Sequence, residues 1–133
     1  MKMNKKSRSL GYRLKNPFNI RYTSYNKWVG QLNPVNGFCR FASLSYGVRA
    51  FAILYRTYIN KYHVTVLEFV SRYAPQTEND TEAYVRTVCR LTGFAPGYRL
   101  TPTDLVLFGA AVHQVEQGFV RADIVELLKK YTL

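Results

Sequence analysis

The sequence predicts a mainly α fold of about five helices, with a small irregular or β-like lobe near the N-terminus. Three observations carry that expectation. From Ser43 onward, apolar residues recur at helical spacing. The periodic segments open on capping residues and close on glycine or before proline. Residues 16–42 have no helical period and are broken by the turn pairs Asn16-Pro17, Asn33-Pro34 and Asn36-Gly37. At 133 residues and 47% hydrophobic content, the chain suits one domain with a real core. We divide it into a basic flexible arm, residues 1–15, and a single domain, 16–133.

Within the irregular lobe, Asn19–Tyr25 and Gly37–Phe41 are the candidate strands. The first helix starts at Ser43 or Ser45 and carries Val48, Phe51, Ala52, Tyr55, Tyr58, Ile59 and Tyr62 on its apolar stripe. The second opens with a capping box, Thr65 with Glu68, and stops before Ala74-Pro75. The third opens with a second box, Asn79 with Glu82, and ends at Gly93. Thr101 caps the fourth, with Pro102 at its first position and Asp104 in its first turn. That helix closes at Glu116-Gln117-Gly118, and a last one spans about Arg121 to Tyr131.

The formal net charge of +11 points to an anionic partner: nucleic acid, a membrane surface or an acidic cell wall. Lys2, Lys5, Lys6, Arg8 and Arg13 put part of the excess in the arm, and the remainder reads as spread along the chain. No apolar run is long enough to span a membrane, and no signal-peptide pattern follows the basic start. Cys39 and Cys89 read as free, half-buried thiols in a reducing compartment.

Most of the carboxylates have structural explanations as caps, helix-dipole residues or polar-face residues. Glu116 is the exception. It ends an apolar helix, where the dipole disfavours negative charge, beside Val115 and Phe119. Such a carboxyl tends to hold its proton, as a general acid must. The opposing reading is an exposed Glu before a glycine C-cap. His113 lies one turn earlier on the same face, yet no zinc, P-loop, dinucleotide or GxSxG motif accompanies it. We therefore assign no metal and no cofactor.

The segment from Asn16 to Ala50 is rich in aromatics, Asn and Arg. Tyr22, Tyr25, Trp28 and Phe38 suit stacking on sugar rings, with Asn16, Asn19, Asn26 and Gln31 as hydrogen-bonding groups. The same residues equally suit a minor core, with the Asn side chains satisfying turns.

The blocks NPFNIRY, WVGQ, GFCRFASLSYGVRA and RYAPQTENDTEAYVRTVCRLTG, in that order, resemble a family of phage and prophage proteins with a lysozyme-like domain. The resemblance covers about residues 10–118. A weaker one links the Asn-rich segment to bacterial glucosaminidases, whose catalytic Glu precedes that segment. Here no acid precedes Asn16. AAVHQVEQGF instead resembles the helix of soluble lytic transglycosylases that ends in Glu-Ser-Gly-Phe and carries the catalytic acid, with Gln117 standing where those enzymes have Ser. The resemblance implies a circularly permuted lysozyme-like fold with Glu116 as the acid.

The resulting expectation is a phage-type peptidoglycan-degrading enzyme, a lysozyme or lytic transglycosylase. Glu116 is its general acid. Asn16, Asn19, Tyr22, Tyr25 and Trp28 line the sugar cleft, and Arg21 and Arg49 meet wall carboxylates. The partners are peptidoglycan and other virion proteins. The expected location is the host cytoplasm at synthesis, then the virion or, through a pore, the wall. Two alternatives stand beside it: a non-catalytic virion protein of the same fold, and a basic nucleic-acid-binding module.

Overall fold

The computed structural model describes residues 11–77 and 79–132. Residues 11–13 are helical and lead into turns. A two-stranded antiparallel sheet follows, β1 (Gln31–Val35) and β2 (Phe38–Phe41), and then helices α1 (Leu44–Tyr62), α2 (Val66–Tyr73), α3 (Thr81–Thr92), α4 (Leu105–Gln117) and α5 (Ala122–Lys130). A single 3₁₀ turn, Pro102–Asp104, precedes α4. The chain is therefore mainly helical with a small sheet lobe.

The hairpin differs from the sequence expectation at its first strand. Its two-residue turn is Asn36-Gly37, with φ of 52° and 81°, as a primed turn requires. The strand entering that turn is Gln31–Val35. The candidate strand Asn19–Tyr25 contributes an isolated bridge between Arg21 and Phe38, supported by Cys39 N–H donating to Ile20 O and Tyr22 N–H to Gly37 O. Asn33-Pro34 was read as a turn but lies inside β1. Proline is admissible there because β1 pairs on one side only, and its register breaks between Leu32 and Val35.

The helix ends follow local chemistry. Ser43 caps α1, accepting from Tyr46 N. Thr65 and Glu68 form the reciprocal box of α2. The expected box of Asn79 with Glu82 is not formed: Asp80 is the N-cap of α3 and accepts from Ala83 N at 3.0 Å. Gly93 and Gly118 take left-handed φ at the ends of α3 and α4.

Helix α1 is the centre of the core. Phe51 stacks on Phe18 at 4.0 Å and meets Phe69 and the edge of Tyr73. Phe69 packs edge-on against Phe108 of α4 at 4.8 Å. Aromatic bulk thus ties the N-terminal segment, α1, α2 and α4 together, at about 0.5–1.5 kcal/mol per pair beyond burial. Gly47 of α1 permits a close backbone approach, since a Cβ there would lie 2.3 Å from Lys15 O.

The arm assigned to residues 1–15 needs a shorter boundary. Residues 1–10 lie outside the described residues, but Leu14 is buried and Tyr12 bonds to α4. The folded domain therefore includes residues from Gly11. Cys39 is buried and Cys89 half-buried, both as free thiols.

Candidate functional site

The C-terminal turn of α4 packs against residues 11–20, and their polar side chains meet there. Asn16 forms the first layer. Its Oδ1 accepts from Ile20 N at 2.9 Å, and its Nδ2 donates to Ile20 O and Cys39 O at 3.0 Å each. It is fully buried. The amide is spent on its own turn and the sheet, so the sugar-binding role expected of Asn16 does not fit this geometry.

Asn19 lies at the end of that turn, at φ 52°, a left-handed position that Asn tolerates better than most residues. Its Nδ2 faces the end of α4, 3.0 Å from Glu116 Oε1 and 3.3 Å from Glu116 O. Gln117 Nε2 donates to Asn19 Oδ1 at 3.1 Å and to Pro17 O at 3.2 Å. This contact fixes which way the Asn19 amide points, because only Oδ1 can accept from Gln117. Gly11 leaves room for the pair: a Cβ there would lie 2.6 Å from Gln117 Nε2 and 2.7 Å from Asn19 Oδ1.

Glu116 is 7% exposed. Its second oxygen, Oε2, accepts from the Tyr84 hydroxyl of α3 at 2.7 Å. Burial pushes the carboxyl up to about 6, against the opposing pull of the Tyr84 and Asn19 hydrogen bonds and the charge of Arg21. The sequence expectation of an elevated Glu116 thus has a physical basis in desolvation. Tyr84, wholly enclosed, is itself raised well above its usual range by burial and by the Glu116 charge.

His113 lies one turn before Glu116 and is fully buried. Its Nδ1 is 2.9 Å from Pro17 O, a pure acceptor, so Nδ1 carries the proton. Nε2 is then the acceptor for the Tyr12 hydroxyl at 2.7 Å. The ring is neutral and doubly bonded, and burial lowers its pKa. It supports the N-terminal segment through its two hydrogen bonds.

The remaining expected site residues lie further along the lobe. Tyr22 and Trp28 line an open groove of about 530 Å3 beside the hairpin, together with Lys27, Gln31, Asn33 and Arg40. Glu116 and Asn19 do not line that groove. Tyr25 is 83% exposed and stands outside it. Arg21 lies over the Phe38 ring at 5.0 Å, and its charge lowers the Glu116 pKa, but it does not line the groove. Arg49 is half-buried on α1 and lines neither the groove nor the Glu116 hydrogen-bond network. The structure thus brings Glu116 and Asn19 together, with Arg21 acting on Glu116 through its charge, and collects Tyr22 and Trp28 separately.

Sequence reasoning missed Tyr84, Gln117 and Tyr12 as partners in this network. Tyr84 and Glu116 are 32 residues apart, and Tyr12 and His113 are 101 apart. The spacing of His113, Glu116 and Gln117 at one helix end was the only local signal.

No protein-family profile matches the chain. A curated relative is Protein P5 of Pseudoalteromonas phage PM2, 34% identical over 115 residues, which cover 81% of this chain and 71% of the relative. At that identity over most of both chains, the chain belongs to the family of phage PM2 Protein P5.

Proposed function

We propose that this protein is a phage peptidoglycan-degrading enzyme that cleaves the glycosidic bond between wall sugars, with Glu116 as general acid. The observation that carries this reading is the Glu116 carboxyl itself. It is nearly enclosed, raised to about 6, and held on both oxygens by Asn19 and Tyr84. An acid poised near neutrality can protonate a leaving oxygen and remain oriented while doing so.

The chemistry needs a single carboxylate. Glu116 donates its proton to the glycosidic oxygen as the C1–O bond breaks. A hydroxyl of the same sugar attacks C1 and returns its proton to Glu116, which gives an anhydro product and restores the acid. Glu68, Asp80 and Asp104 serve as helix-capping groups and Glu82, Asp123 and Glu126 sit in exposed ion pairs, which supports this route over a two-carboxylate scheme. The positive charge concentrates the protein on an anionic wall. We further read the arrangement as a circularly permuted lysozyme-like fold, because the Glu-bearing helix comes late in the chain yet packs on the early Asn-rich turn. Delivery would be in the virion or through a pore.

A second reading is favoured by one feature. Both Glu116 oxygens are already engaged within the protein, which also suits a non-catalytic virion protein in which Glu116 ties α4 to residue 19. The test uses purified protein and a Glu116→Gln variant on purified peptidoglycan, with released fragments read by mass spectrometry. Anhydro-ended muropeptides from the parent alone are expected. Equal release by the variant overturns the role of Glu116. No release from either supports the virion protein, and salt-sensitive DNA binding without wall binding supports a nucleic-acid module.

A further inference from the structure

The net charge is unevenly divided. The first acidic residue is Glu68, and all eight carboxylates lie from there on, whereas twelve of the nineteen Lys and Arg residues come before it. The ion pairs Arg86–Glu82, Arg121–Asp123 and Lys129–Glu126 all fall in the later helices. The hairpin lobe is therefore a cationic surface with no carboxylate of its own.

The groove beside the hairpin concentrates this character. Lys27 and Arg40 are its cations and Gln31 and Asn33 its amides, with Tyr22 and Trp28 as aromatic walls. Arg40 is partly fixed, since its Nε donates to Asn33 O at 3.1 Å, and the guanidinium keeps its other nitrogens for a ligand. Gln31 is fixed through its Oε1, which accepts from Trp28 N at 3.0 Å. A volume of about 530 Å3 suits a few linked residues of ligand.

We propose that this groove binds the acidic peptide stem of peptidoglycan, with Arg40 and Lys27 pairing its free carboxylates. Choosing the wall stem as the anion rests on the glycosidase reading above. A stem peptide presents carboxylates and amides a few bonds apart, and the groove lining offers two cations and two side-chain amides to meet them. A single-stranded nucleic acid is the poorer match, because phosphodiester tracking calls for a continuing file of cations along stacked bases. This groove instead offers only two cations and includes the apolar Leu32 and Pro34 in its lining.

Trp28 is the only tryptophan of the chain, so its fluorescence reports directly on the groove. The experiment titrates the full chain with a soluble stem tetrapeptide bearing free carboxylates, and with the same peptide amidated at every carboxylate. Saturable change in Trp28 emission is expected with the acidic peptide only, weakening as salt rises. Arg40→Gln and Lys27→Gln should each weaken it by about tenfold, the loss of one charge-assisted contact. Circular dichroism of the two variants should be unchanged, since both side chains lie at the surface. Equal binding of the amidated peptide, unaltered binding by both variants, or displacement by a tighter-binding oligothymidylate overturns the proposal. The glycosidase reading is separable. Stem binding without wall cleavage keeps the groove assignment and sinks the glycosidase, and cleavage without a Trp28 response does the reverse.

Discussion

Asn19 Nδ2 donates to Glu116 Oε1 at 3.0 Å across 97 residues of sequence. The donor stabilises the charged carboxylate, so it opposes the burial that raises Glu116. Asn19→Gly keeps the left-handed backbone and removes the amide. The Glu116 pKa should then rise above about 6, as read from a carbon-detected NMR titration of its carboxyl. A fall would contradict the donor role. Stability should drop by about 1–2 kcal/mol, the value of a partly buried hydrogen bond to a charged group.

Tyr84→Phe tests the other oxygen. The ring still fills its site, but Glu116 Oε2 loses its donor. At pH 7.5 the carboxyl is largely ionised, and the variant should be less stable by about 1–3 kcal/mol. At pH 5 it is largely protonated in the fold, and the deficit should shrink. Denaturant unfolding at both pH values measures it, and a deficit that does not change with pH would dissociate Tyr84 from the charge of Glu116.

Glu116→Gln should stabilise the protein at neutral pH. A folded pKa of about 6 against an ordinary 4.5 means the folded state binds the proton more tightly than the unfolded chain. The resulting stability is full below about pH 4.5 and is lost as pH rises through about 6. Above that the ionised carboxylate costs about 2 kcal/mol. The melting temperature of the variant should therefore exceed that of the parent at pH 7.5 and approach it at pH 4. His113 acts oppositely. Its pKa is depressed by burial, so its contribution is present above about 6.5 and is lost as pH falls. His113→Gln should flatten the acid limb of the parent's stability profile, and an unchanged limb would remove His113 from the account.

Gly47→Ala should destabilise by about 1–3 kcal/mol. The added methyl would sit 2.3 Å from a backbone oxygen, Lys15 O, which cannot move aside as a side chain can. Gly93→Ala is the control. Its Cβ meets nothing within 4 Å, but its φ is 79°, so the loss there is the backbone strain of a left-handed position, about 1 kcal/mol. Thermal unfolding of both variants separates the collision from the strain.

The helices were legible because their signals are local. Ser43, Thr65 with Glu68, Pro102, Gly93 and Gly118 each act within one turn of themselves. Asp80 rather than Asn79 caps α3 because two adjacent residues can both serve and only the backbone path selects one. Strand β1 escaped because Pro34 reads as a breaker, and an unpaired edge that admits proline is a tertiary property. Asn16 was assigned to a ligand because a sequence cannot reveal whether an amide is already used by its own turn. The elevation of Glu116 was foreseen from its apolar neighbours and helix end. Its partners Tyr84 and Asn19 were not, since nothing local links positions 19, 84 and 116. The charge looked dispersed along the chain because segregation by half is visible only when acids and bases are located separately.

The joining of residues 12–19 to α4 also sets an order of events at the ribosome. Tyr12, Pro17 and Asn19 find their partners in His113, Gln117 and Glu116, residues translated roughly 5–20 s later at ordinary elongation rates. Until then Phe18 and the turn around Asn16 have no α4 to close over them. A nascent chain stalled before residue 105 should be readily cut by protease near Phe18, and one extended past α5 should be resistant there.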